Sequence, residues 1–80
     1  MTTVRVQYVA ILREQRGVSE EQLSTPAASV SALYEELQRQ HRFTLPASRI
    51  RAAVNDEFVR PDTALKPGDH VVFIPPVAGG

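Results

Sequence analysis

Pro67-Gly68-Asp69-His70-Val71-Val72-Phe73-Ile74 is a turn followed by a run of four apolar residues. Proline and glycine in succession mark a reversal of the chain. A short, unbroken, largely β-branched run suits a strand covered on both faces. Such a strand belongs inside a sheet, and the rest of the chain has to be arranged around it. Its natural neighbour lies at the other end of the sequence, in Val4-Arg5-Val6-Gln7-Tyr8-Val9-Ala10-Ile11. That stretch alternates apolar with polar and then turns apolar on both faces, which predicts a strand from Val4 to Ile11. These two runs, the richest in apolar residues, are expected side by side at the centre of the sheet.

The intervening residues supply the outer elements. After Gly17, Glu21-Gln22-Leu23-Ser24-Thr25 reads as a short strand stopped by Pro26, because proline suits a strand end and not a ladder interior. Ser29 is a candidate helix N-cap, its hydroxyl able to accept from an otherwise unpaired backbone N–H. Val30, Leu33, Tyr34 and Leu37 then fall on one stripe of a helix of about three turns that fades near His41. Phe43 to Pro46 reads as a connection. Arg51-Ala52-Ala53-Val54-Asn55 and Glu57-Phe58-Val59 predict two strands about an Asn55-Asp56 turn. The order is strand, strand, helix, strand, strand, strand, an α+β pattern. Two antiparallel hairpins flanking a central parallel pair, crossed over by one helix, give the β-grasp or ubiquitin-like arrangement.

With 80 residues there is room for one domain, expected over residues 1–74, followed by an extended tail over 75–80. The hydrophobic fraction of 42% argues against disorder. No stretch approaches the roughly 20 apolar residues needed to span a bilayer, and the first residues lack the apolar run of a signal peptide. A cytoplasmic protein is expected. Nine basic and nine acidic side chains cancel to a net charge of zero. Arg49 and Arg51, the densest basic spot, are too few for a nucleic-acid surface, and neither nucleic acid nor membrane is an expected partner. The absence of cysteine excludes disulfides, thiolate zinc sites and a thiol nucleophile.

The tail reads Pro75-Pro76-Val77-Ala78-Gly79-Gly80. Two prolines end the sheet and favour an extended path. Six extended residues reach roughly 20 Å. The side chains shrink to nothing, so the end can enter a narrow channel without a Cβ clash. Two terminal glycines arise by chance in roughly one chain in 200, and the rigid lead before them strengthens the case that the carboxylate of Gly80 is the working group. Other candidates are weaker. His41 and His70 have no neighbouring ligand at metal spacing, so no metal site is expected; His41 reads as a helix C-terminal cation and His70 as a strand residue. Asp56, Glu57, Asp62 and Asp69 are turn acids explained by solvation and turn bonding. Ser24 and Ser29 have no histidine context. Arg13 reads as a solvated residue at a strand end.

Ala53-Val54-Asn55-Asp56-Glu57, Leu65-Lys66-Pro67-Gly68-Asp69 and Phe73-Ile74-Pro75-Pro76-Val77-Ala78-Gly79-Gly80 together resemble the molybdopterin synthase small subunits, the MoaD family of ubiquitin-like sulfur carriers. The Pro-Pro-Val-x-Gly-Gly ending is the specific part. The resemblance implies a protein cosubstrate, not an autonomous enzyme. It binds no cofactor itself, while an E1-like adenylyltransferase uses ATP and a sulfur donor to convert Gly80 first to an adenylate and then to a thiocarboxylate. The tail, Pro75 to Gly79, would thread into the large catalytic subunit and deliver sulfur to cyclic pyranopterin monophosphate for the molybdenum cofactor. The resemblance also implies that Val9, Phe58 and Ile74 dock that subunit. Val9 does lie on an otherwise polar strand face beside Arg5 and Gln7, although ordinary core positions are the alternative. Thiocarboxylate carriers for thiamine, cysteine or transfer-RNA thiolation, a protein modifier, and a purely non-covalent interaction domain are the rival readings.

Overall fold

The computed structural model describes residues 1–76. The expectations for Val77, Ala78, Gly79 and Gly80 lie outside the described residues. The chain runs β1 (Thr2–Tyr8), α1 (Ile11–Arg16), β2 (Glu20–Thr25), α2 (Val30–His41), a 3-10 turn (Ala47–Arg49), β3 (Arg51–Val54), β4 (Glu57–Val59) and β5 (His70–Ile74). The sheet order is β2-β1-β5-β3-β4. β1 and β5 are parallel at its centre, Val6 opposite Val71 and Tyr8 opposite Phe73, and every other pairing is antiparallel. This is the expected β-grasp.

One face of the sheet carries α2. Val4, Val6 and Tyr8 of β1 and Val71 and Phe73 of β5 point to it and pack with Val30, Leu33, Tyr34 and Leu37 of the helix. Tyr34 and Phe43 stack at 5.9 Å, and the Tyr34 and Phe73 rings meet edge to face at 5.3 Å, filling the centre with a few large side chains. Ser29 caps α2 as expected, accepting from Ala32 N–H at 3.2 Å. The loop before β5 completes the cap, because Val30 N–H donates to Thr63 O and Ser31 N–H to Pro61 O. The N–H groups that a helix start leaves unpaired are thereby satisfied.

The β3–β4 hairpin is set by its turn. Asn55 and Asp56 have φ of 52° and 73°, the positive pair of a type I′ turn, whose twist matches that of the strands. Asn55 is then bolted to β5. Its Oδ1 accepts from His70 N–H at 3.0 Å, and its Nδ2 donates to Asp69 at 3.1 Å. The Asp69 carboxylate also accepts from Lys66 N–H at 2.9 Å. Asp69 is thus bonded within its turn as expected, but it is buried and not solvated.

The structure departs from expectation after Tyr8. The first strand stops at Tyr8, not Ile11, and a helix, α1, follows. Ala10 turns the chain at φ 53° and ψ −125°, and Leu12 N–H closes the turn on Val9 O at 3.2 Å. Leu12 plugs the core while Ile11 is exposed, so the second half of the apolar run serves a helix and not a two-faced strand. Arg13 is therefore a solvated helix residue rather than one at a strand end. Gly17 ends α1 in the left-handed conformation. Phe43 to Pro46 is a connection as expected, and the 3-10 turn, Ala47–Arg49, follows it. His41 stands in the last turn of α2 as expected; burial, and then the neighbouring Arg16, hold its pKa below the usual histidine value.

Candidate docking face and tail exit

The face of the sheet away from α2 is where the predicted contact residues lie. Side chains that pair across strands share a face, so the registers fix its map. Ile74 pairs with Arg51, Val72 with Ala53, and Ala53 with Phe58. Continuing the Tyr8–Phe73 register by one residue brings Val9 beside Ile74. Phe58 and Ile74, far apart in sequence, thus share one face, and Val9 stands just past the end of β1 next to it. Phe58 is 69% exposed, an unusual state for a phenylalanine of a regular strand, and Val9 and Ile74 are half-buried.

Two members of this patch escaped the sequence reading. Val72 was hidden inside a run read as fully buried, yet it is half-buried and shares the parity of His70 and Ile74. That parity was the available signal. Ala53 is buried but stands apart from the core cluster, because it lies on the outer face between Val72 and Phe58.

Polar groups frame the patch at one end. Glu20 Oε1 receives a hydrogen bond from Arg5 at 2.8 Å. His70 Nε2 stands 3.2 Å from Glu20 Oε2, too far off its N–H axis to hydrogen-bond. At the other end the chain leaves β5. Pro75 is buried and Pro76 exposed, so among the described tail residues the departure from the domain begins at Pro76.

Behind Val9, on the core side, α1 is clamped to the sheet. Arg16 donates to both carboxylate oxygens of Glu21, at 2.9 and 2.7 Å, and the Tyr8 hydroxyl donates to Glu21 at 2.6 Å. The Arg16 bonds foremost, then that from Tyr8, hold the Glu21 carboxyl below the usual range against its partial burial. Burial, and then Glu21, push the Tyr8 phenol upward. This network ties the last turn of α1 to β1 and β2.

An apolar groove of about 250 Å³ opens at the β3–β4 edge of the sheet beside α2, between Val30, Tyr34, Ile50 and Phe73, and Arg51 and Phe58 also line it. Its Tyr34 hydroxyl is already committed to Leu45 O at 2.7 Å. Among the described residues no three His, Cys, Asp or Glu side chains group as metal ligands, and no helix is long and apolar enough to cross a membrane.

A β-grasp sheet with one main helix, α2, across one face, a helix-free opposite face and the chain leaving β5 beside it defines the class of ubiquitin-like proteins. Within that class the chain belongs to the ThiS family, whose model matches residues 6–80. It is 32% identical to the molybdopterin synthase sulfur carrier subunit of Escherichia coli K12, over 96% of this chain and 99% of that one. Among solved structures it is similar to a putative molybdopterin converting factor subunit 1 of Pyrococcus furiosus, with 33% identity, a TM-score of 0.79 and coverage of 96% of this chain and 100% of that one. A chain from the complex of subunits 1 and 2 of the Helicobacter pylori molybdopterin-converting factor is 25% identical, with a TM-score of 0.68 and coverage of 99% and 100%. Likeness extends to small archaeal modifier protein 1 of Methanosarcina acetivorans, 25% identical with a TM-score of 0.77, covering 100% of this chain and 98% of that one.

Proposed function

We propose that this chain is the sulfur-carrier subunit of a molybdopterin synthase and acts as a protein cosubstrate through the carboxylate of Gly80. The near-full-length identity to a molybdopterin synthase sulfur carrier subunit, with a family match that runs through residue 80 and so takes in Gly79-Gly80, is the observation that carries this reading. An E1-like adenylyltransferase joins the Gly80 carboxylate to the α-phosphate of ATP, releasing pyrophosphate. A sulfide equivalent then displaces AMP from the acyl-adenylate and leaves a thiocarboxylate. Pro75 to Gly79 present that group to the large subunit, where its sulfur passes to cyclic pyranopterin monophosphate and Gly80 returns to a carboxylate. Val9, Phe58 and Ile74, with Val72 beside them, form the surface on which the large subunit docks. An exposed phenylalanine on a flat apolar face is the kind of anchor such contacts use. The Helicobacter pylori relative, solved as a complex of two subunits, supports a partner of that kind.

The test is the intact mass of the full chain after incubation with ATP, its E1-like partner and sulfide. The expected product is heavier by one sulfur less one oxygen, and deletion of Gly80 abolishes the gain. An unchanged mass with an active partner would refute the carrier role. The likeness to an archaeal modifier protein favours a second reading, conjugation of Gly80 to lysines of other proteins; isopeptide-linked products in cells would select it.

A further inference from the structure

We propose that a cross-strand pair of arginines, Arg51 and Arg60, makes the tail end of this docking face specific for a partner protein carrying carboxylates beside its apolar pocket; the inference rests on the docking reading above. Ala52 pairs with Val59, and the same register carried one residue further sets Arg51 opposite Arg60. Arg51 also pairs with Ile74, the last residue of β5, and Arg60 lies two residues beyond Phe58, so both arginines belong to the outer face. Both are exposed.

Like charges directly opposed across a sheet repel, so this placement works against the fold. The other sheet-facing arginines are compensated at close range, Arg5 by Glu20 at 2.8 Å and Arg16 by Glu21 at 2.7 Å. Arg51 has no ion pair among the described residues. Arg60 has only Asp62 at 3.6 Å, with both side chains more than three-quarters exposed, where water screens the contact. At the opposite end of the patch Arg5 is matched by Glu20. The surface is therefore electrostatically one-sided, with its unmatched cations where the chain leaves the domain. Guanidinium forks pair with carboxylates in a fixed geometry. An acidic rim on the partner would steer the carrier and set its orientation, tail end foremost. A nucleic acid fits poorly, because Phe58 and Ile74 beside the arginines would find no apolar pocket and the chain has no net positive charge.

The experiment measures association of the full chain with the large subunit, at low and at high salt, for wild type, Arg51→Ser/Arg60→Ser and Phe58→Ala, together with each melting temperature. The double variant is expected to melt no lower than wild type, because a repulsion has been removed. Its low-salt association rate should fall about five- to tenfold, and its salt dependence should flatten. A lower melting temperature, or an unchanged rate and salt slope while Phe58→Ala weakens binding, would overturn the inference and leave the docking face standing. Binding untouched by all three substitutions would overturn the docking reading itself.

Discussion

Replacing Phe58 with alanine separates a docking residue from a core residue, because the structure assigns the two roles very different energies. Phe58 is 69% exposed, so only about a third of the ring is covered in the free protein. Taking roughly 200 Å² for a phenylalanine side chain, folding covers some 60 Å² of it. At about 25 cal/mol per Å² that corresponds to roughly 1.5 kcal/mol. Alanine retains the Cβ share, so the expected loss of stability is about 1 kcal/mol. For a domain this small, that lowers the melting temperature by about 4–8 °C. The exposed two-thirds are available to a partner, and a central aromatic anchor of this kind costs roughly 2–4 kcal/mol of association when truncated. Affinity for the large subunit should therefore fall by about 30-fold or more, mainly through faster dissociation. Thermal melts followed by circular dichroism and titration calorimetry with the large subunit measure the two quantities on the same protein. A melting temperature lowered by about 20 °C with affinity intact would place the ring in the core and refute the argument.

Two further outcomes follow from the α1 region. Ala10 holds a backbone conformation, φ 53° and ψ −125°, that costs a residue with a Cβ on the order of 1–3 kcal/mol. Ala10→Gly relieves it against roughly 0.4–1 kcal/mol of added chain entropy, so a melting temperature raised by about 5 °C is expected; no rise would show the turn to be unstrained. The Glu21 carboxyl is held lower in the folded state than in the unfolded chain, foremost by Arg16. Its contribution is thus fully present above the unfolded value of about 4.3 and is lost as pH falls through the lower, folded value. Chemical denaturation across the acid range should show Glu21→Gln less stable than wild type at neutral pH and the two converging in acid. Parallel curves would remove Glu21 from the acid limb.

Most of the architecture was legible because it rests on local rules. Ser29 before a Val30-Leu33-Tyr34-Leu37 stripe specifies a capped amphipathic helix without reference to anything distant. Asn55-Asp56 between two short β-rich runs specifies a hairpin, since few residue pairs accept two positive φ values. The apolar run of β5 marked the centre of the sheet. What failed was the stretch from Val9 to Leu12. Its residues are apolar whether they continue a strand or turn into a helix that plugs the core with Leu12, and an alanine with positive φ gives no sign of a turn. The same ambiguity hid Val72, because an unbroken apolar run does not reveal which of its faces the helix covers.

The order of the five strands and the main helix, the Pro-Pro-Val-Ala-Gly-Gly ending and the lack of cysteine are written in the sequence, and they bound the fold and point to the tail. The docking face is not. Phe58 and Ile74, with Val9 just past the end of β1, come to one face only when β1, β5, β3 and β4 align in register, and that same alignment, carried one residue past β4, brings Arg51 and Arg60 to one end of it. A residue's identity and its neighbours along the chain fix its local conformation. Which side chains share a face, and which charges are left uncompensated there, depends on contacts between residues far apart in sequence, and those exist only in the assembled sheet.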